Sequence, residues 1–369
     1  MARLTLDTLT KRYKGETVLD ALSLEVASGE TLVLFGPSGA GKTVLLRTIA
    51  GAVDPDAGGV FIDGEDVTHL PPERRGIGMA FQNFALFPHF SAFENIASPL
   101  EARRTPAKAL RERVEAIARL LKIEHVLGHA PRALSNGQKQ RTALGRALAG
   151  DPRVLLLDDP LRNVDAKLRF EMRLELPRLL AERGATVLYV TQDYKEAMAL
   201  GERIAVLDRG RIVQIGPPEE IYRRPATREI ARLFGDPSIN LLDVVPERDA
   251  TGLHVRLSGA RVALDPGLEG ALGQPCTLGL RAEALCFDDS PQAIPVRIEA
   301  ETPLNEKIVT LALTQGGREI LISRPAATPG PASGQAGIAI EARNALLFER
   351  ESGARIAPRE SARRTEAAE

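Results

Sequence analysis

An α/β domain followed by a smaller all-β one is the fold class that the sequence predicts, on three observations. Continuous apolar runs such as ETLVLF (30–35), VLLLD (154–158) and TVLYVT (186–191) end in polar turns. Strands of a parallel sheet, covered on both faces, read this way. Stretches of helical period separate these runs, and strand–helix alternation indicates an α/β sheet. Past about residue 236 the pattern becomes short alternating segments broken by Gly and Pro, the signature of a small β unit. At 369 residues the chain exceeds one ordinary core, and about two domains is the natural prior.

Taken in order, LTLDTL (4–9), ALSLEV (21–26) and ETLVLF (30–35) read as strands separated by KGE and SGE turns. After LVLF the chain passes through glycines and resumes as VLLRTIAG, a helical pattern. Residues 105–127 alternate apolar and charged at helical period, with Thr105 and Pro106 as cap and first turn. HVRLSG, CTLGLR, PVRIEA and IVTLAL supply the later strands, and SGARIAPRESARRTEAAE has little to bury and reads as a disordered tail. The expected boundaries are therefore 1–235 for the α/β domain, 236–352 for the β domain and 353–369 for the tail.

Composition excludes several classes. The net charge is −1, with Arg interleaved among Asp and Glu, so nucleic acid is not an expected partner. No run approaches the roughly 18 apolar residues of a membrane-spanning helix, and MARLTLDTLTKRY lacks the apolar core of a signal peptide. Cys276 and Cys286 form no CxxC pattern and read as small buried hydrophobes of a reducing compartment. His125 and His129 stand at i,i+4, but Gly128 and Pro131 argue that no helix continues there, so a zinc site is not expected.

Residues 36–43, GPSGAGKT, fit G-x-x-x-x-G-K-[ST] without mismatch, after a strand and before a helix. Gly36, Gly39 and Gly41 let the backbone wrap closely, with Pro37, Ser38 and Ala40 between them, so that N–H groups point at a phosphate. Lys42 supplies charge to the β/γ-phosphates of ATP, and the Thr43 hydroxyl is suited to Mg²⁺. A buried strand beside such a loop ends in an acid that holds the magnesium, which assigns Asp158 of VLLLDDPLRNVD. Asp159 then stands where a general base for water is needed.

LSNGQKQRTALGRALAG (134–150) resembles the signature segment of ABC transporter ATPases, and the resemblance extends over nearly the whole chain. It implies a P-loop, RecA-like ABC ATPase domain with a helical subdomain at about 82–150, then an OB-like regulatory domain. In that family Ser135, Asn136, Gly137 and Gln138 would cover the nucleotide bound by the opposing subunit. MAFQNFALFPHF looks like the Q-loop segment of the carbohydrate-importing branch, with Gln82 near Mg²⁺ or the attacking water. Tyr13 matches the aromatic that stacks on adenine, and Asp165 the D-loop residue at the subunit interface. LRAEAL (280–285) echoes a motif that usually carries proline where Ala282 stands.

Three positions depart from the pattern: Asp159 replaces a catalytic glutamate, Gln192 in VTQD a switch histidine, and Asn136 the signature's first glycine. A base misplaced by ~1 Å can lose about 10²-fold in rate, and Gln192 donates a hydrogen bond but carries no charge. The resemblance thus implies the ATP-binding subunit of an importer for a small carbohydrate or polyol, glycerol included, at the cytoplasmic face of the inner membrane. Its partners would be two permease subunits, an extracytoplasmic binding protein reached indirectly, and a second ATPase. The two weakened positions favour a different chain as that second ATPase, and a non-hydrolysing nucleotide-dependent scaffold is the rival reading.

Overall fold

A computed structural model describes residues 2–162, 164–182, 184–331 and 334–359, with only the backbone of Leu168 and Glu182. The chain divides into two compact units, one up to Ile221 and one from Tyr222 onward.

The first unit opens with an antiparallel hairpin, β1 (Leu4–Tyr13) and β2 (Glu16–Val26). Its turn needs positive φ at two positions, and Lys14 (49°) and Gly15 (86°) supply them. β3 (Thr31–Phe35) is buried throughout and leads through the glycine loop into α1 (Lys42–Ile49), whose N-cap Gly41 has φ 105°. β4 (Ala57–Ile62) and β5 (Glu65–Asp66) complete a four-stranded sheet ordered β2-β1-β4-β5.

A second sheet of six strands forms around β3. Its members are β6 (Ile77–Ala80), β7 (Val154–Asp158), β8 (Thr186–Thr191), β9 (Arg203–Asp208) and β10 (Arg211–Gly216), in the order β10-β9-β3-β8-β7-β6. All pairs are parallel except β10 with β9. Every residue of β3, β7 and β8 is buried, which is why these strands read as unbroken apolar runs.

Between β6 and β7 the chain forms α2 (Ala92–Ala102), α3 (Ala107–Leu120) and α4 (Asn136–Ala149). They bury Ile96, Leu100, Val114, Ile117 and Leu144. The helix expected at 105–127 is shorter than the periodicity suggests, because Lys122 takes φ 56° and ends it. Pro106 occupies the N-cap with no side-chain bond, so Thr105 does not cap the helix. α5 (Ala166–Glu182) comes after β7, α6 (Tyr194–Leu200) after β8, and α7 (Pro218–Arg223) leads out of the unit.

The second unit carries α8 (Arg228–Leu233) and antiparallel strands in three sheets. Strands β11 (Asn240–Val244), β12 (Glu247–Asp249), β13 (Gly252–Leu257), β14 (Ala260–Ala263), β15 (Cys276–Leu280) and β16 (Cys286–Phe287) come first. After them run β17 (Ile294–Leu304), β18 (Lys307–Thr314), β19 (Glu319–Pro325), β20 (Gln335–Ala339) and β21 (Ala345–Glu349). The sheets are ordered β11-β15-β21, β12-β13-β14 and β16-β20-β17-β18-β19.

The second unit begins earlier than residue 236, because Arg281 binds α8 into it. Its guanidinium donates to the carbonyls of Ala231, Phe234 and Tyr222 and stacks on the Tyr222 ring, 3.7 Å from its centroid. Residues 353–359, read from the sequence as tail, are part of this unit. Ala354 bridges Thr227, Arg355 bridges Phe348, and the Arg359 amide donates to Gly267 at 2.9 Å. The rest of the expected tail, 360–369, lies outside the described residues. Cys276 is buried as expected, whereas Cys286 is exposed at the start of a two-residue strand.

Candidate active site

Four neighbouring parallel strands, β3, β8, β7 and β6, present their carboxyl ends side by side. Phe35 pairs with Thr191, Val190 with Asp158, and Leu157 with Ala80. The residues leaving each strand end therefore meet those leaving its neighbours: the glycine loop after β3, Gln192 after β8, Asp158 and Asp159 at β7, Gln82 after β6. Open α/β sheets bind ligands at this edge. The edge encloses a recess of about 290 Å³ lined by Ser38, Gly39, Gly41, Lys42 and Thr43, and by Gln82, Asp158, Asp159 and Gln192.

The loop is fitted to its seat. A Cβ on Gly36 would lie 2.2 Å from the Leu207 carbonyl oxygen, so only glycine allows the backbone this close to β9. Lys42 curls over the loop and donates to the carbonyls of Gly36 and Pro37, both at 2.7 Å. Ala40 is buried beside them, and its amide donates to Pro37 at 3.3 Å. Gly39 and Gly41 hold φ of 82° and 105°, a conformation that points successive amides to one side.

Charge is concentrated and partly desolvated here. Burial raises the Asp158 carboxyl above its ordinary range, opposed by a hydrogen bond from Thr43 and by Arg47 and Lys42. Burial also raises Asp159, opposed chiefly by Arg162. Lys42 is lowered by burial, with Asp159 and Asp158 pulling it back. Asp158 and the Thr43 hydroxyl, the two oxygens expected on magnesium, already touch each other. Hard oxygen donors in this number suit Mg²⁺, which keeps several waters and takes few protein ligands. Among the described residues no cluster of three or more His, Cys, Asp or Glu is built to hold a metal alone.

The other sequence-predicted residues lie outside this recess. Ser135 caps α4 in a reciprocal box: its hydroxyl accepts from the Gln138 amide at 3.3 Å, and Gln138 Oε1 accepts from the Ser135 amide at 2.9 Å. Asn136 is exposed and Gly137 buried at the first turn. Neither these four nor Tyr13 lines the recess. Tyr13 stands 43% exposed with Lys11 over its ring at 5.4 Å. Asp165 is exposed just ahead of α5. His125 and His129 are exposed around a 3₁₀ turn, so their spacing does not put them on one helical face.

Two features escaped the sequence. Arg162 lines the recess, its Nη1 3.6 Å from Asp159 Oδ2. A cation three residues after Asp159 in a turn-rich segment was the available signal. Behind Gln192, buried Glu196 accepts from Tyr189 and Thr191 hydroxyls, each at 2.9 Å, with Arg173 3.8 Å away. Arg173 also bonds Asp193, the N-cap of α6, so the residues flanking Gln192 are fixed from beneath.

Comparison with known proteins agrees with this geometry. The family model described as ABC transporter matches residues 19–162. The sn-glycerol-3-phosphate import ATP-binding protein of Salmonella typhi is 40% identical over 360 residues, 96% of this chain and all of the relative. Its namesake in Escherichia coli K12 is 40% identical over the same shares. Among solved structures, the dimeric post-hydrolysis state of the cassette MJ0796 bound to ADP and Pi aligns with TM-score 0.54 at 32% identity. It covers 58% of this chain and 98% of that one. CbiO1 of Clostridium perfringens, part of the transporter complex cbiONQ, aligns with TM-score 0.55 at 26% identity, covering 59% and 89%. None of these likenesses supports the expectation of a distinct second ATPase.

Proposed function

The chain belongs to the ATP-binding subunits of ABC transporters, and from that premise we propose that it hydrolyses Mg·ATP slowly to power import of a small polyol or polyol phosphate. The observation that carries this reading is the convergence of the glycine loop, Asp158, Asp159, Gln82 and Gln192 on one recess. The glycerol-phosphate skeleton in the names of the relatives is what favours the substrate class.

Each side chain has a task in this reading. Lys42 leaves its loop carbonyls for the β- and γ-phosphates, and Thr43, Asp158 and Gln82 hold Mg²⁺, which supplies charge neutralisation when bound. Asp159 accepts the proton of the attacking water, and Gln192 donates a hydrogen bond to the terminal phosphate. Tyr13, exposed at the end of β1, is the residue that would stack on adenine.

Ser135 to Gln138 do not line the recess of their own chain, and in this reading they complete the site of another subunit. The cap hydroxyl and the α4 N-terminus form the anion-binding lid, and Asp165 sits at the contact. A second copy of this chain is the better partner, since a solved neighbour is described as a dimer of one cassette. ATP closes the pair, and the helical subdomain passes the motion on.

Permease subunits dock on the groove of about 500 Å³ lined by Met79, Phe81, Phe87, Pro99 and Ala147. Asn95 shapes its rim, accepting from the Phe87 amide at 2.8 Å and donating to Phe87, Phe90 and Ser91 carbonyls. No helix among the described residues is long and apolar enough to cross a membrane. In this reading the chain works as a peripheral subunit at the cytoplasmic face, and an extracytoplasmic binding protein reaches it only through the permease.

The test is the ATPase rate of the wild type beside Asp159→Glu/Gln192→His. A rise of at least about tenfold is expected, since a positioned base is worth roughly 10²–10⁴. An unchanged rate would show that Asp159 and Gln192 suffice and that the site is not weakened.

A further inference from the structure

The turn after β7 brings a second cation into the phosphate recess. Asp159 has φ 47°, a left-handed conformation that reverses the chain at once. The Arg162 amide then donates to the Asp159 carbonyl at 3.2 Å. From α5, Arg169 Nη2 donates to the carbonyls of Arg162 (3.1 Å) and Val164 (3.0 Å), so the turn is held by backbone bonds and by Arg169. The Arg162 side chain is not needed for that. It reaches back over the recess beside Lys42, Thr43, Asp158 and Gln192, with its side chain 51% exposed and its Nη1 3.6 Å from Asp159 Oδ2.

Two cations and two carboxylates thus face one another across the recess, and a nucleotide triphosphate adds negative charge to that balance. Lys42 is anchored by two loop carbonyls. Arg162 holds its partner loosely, from an exposed position, and a guanidinium is a planar fork matched to phosphate oxygens. That partner, Asp159, has a side chain that is itself largely buried.

We propose that Arg162 discriminates between nucleotide states: without ATP it pairs with Asp159, and with ATP its guanidinium transfers to the terminal phosphate. The transfer does two things at once. It supplies positive charge where Gln192 supplies none, and it releases the Asp159 carboxylate to accept the proton of the attacking water. ADP has no γ-phosphate to receive the guanidinium, so the pair with Asp159 re-forms after hydrolysis. This assignment rests on the nucleotide-binding reading above and adds a residue to it.

The test is the affinity of the full chain, with Mg²⁺, for ADP and for a non-hydrolysable ATP analogue, in wild type, Arg162→Ala and Arg162→Lys. Arg162→Ala is expected to weaken the analogue by roughly tenfold, the worth of one charged hydrogen bond, and to leave ADP nearly unchanged. Arg162→Lys restores part of the loss. Equal losses for both nucleotides, or none for either, would overturn the proposal while leaving the binding site in place. A wild-type chain that binds neither nucleotide would overturn the functional reading and this assignment with it.

Discussion

The proposed magnesium role asks Asp158 to be charged where burial resists charge. Its carboxyl titrates above the ordinary carboxylate range because desolvation outweighs Thr43, Arg47 and Lys42, and the Asp159 carboxyl is raised for the same first cause. The folded, ligand-free chain therefore holds these protons more tightly than the unfolded chain. Its stability gains as pH falls through the raised values and loses as pH rises through them. Mg·ATP needs the ionised form, so its affinity runs the other way. Calorimetric titrations across the mildly acidic range should show Mg·ATP binding weaken as pH falls, beginning above the pH at which an exposed carboxylate protonates. Thermal stability of the nucleotide-free chain should not fall in that window. If affinity is flat there, Asp158 does not bind the metal.

At the scale of elements, arginines do unusual work at helix ends. Arg75 is 1% exposed and donates to Thr48 and Ile49 carbonyls at the end of α1 (2.9 Å each), to Leu70 (2.8 Å) and to Thr68 (2.5 Å). Arg75→Met roughly keeps the volume but takes the guanidinium away from four carbonyls, of which Thr48 still accepts from the Gly51 amide at 3.1 Å. It should cost roughly 3 kcal/mol or more, read as a lower denaturation midpoint without change of slope. Arg281 does the same for α8. Neither role was legible from sequence, because the acceptors are backbone atoms remote in the chain. The strands were legible, since full burial of β3, β7 and β8 writes itself as apolar runs. So was the glycine loop, whose parts are contiguous. The features that escaped depend on where a turn points: the meaning of Arg162 comes from φ at Asp159, the end of α3 from φ at Lys122. The order of residues 353–359 depends on partners at Thr227, Phe348 and Gly267.

At the scale of the whole molecule, half of the proposed site lies on a surface that its own recess does not include. This predicts complementation between two defective chains. Lys42→Ala removes the phosphate cation. Asn136→Asp adds an exposed anion that the α4 N-terminus tolerates but that repels a phosphate across the interface. Each variant alone should be nearly inactive, and their mixture should regain measurable turnover. In a mixed pair the intact loop of one chain faces the intact signature of the other. Silence of the mixture would count against self-pairing. The way Lys42 is held bears on the cost of that assembly. Bonded to Gly36 and Pro37 carbonyls, it has already surrendered most of its rotamer freedom, an entropy worth up to about 2 kcal/mol for a lysine. Nucleotide arrival then asks this chain to exchange two neutral acceptors for charged ones, with little further ordering. That loss was met once, when the chain folded, and is not repeated in each transport cycle.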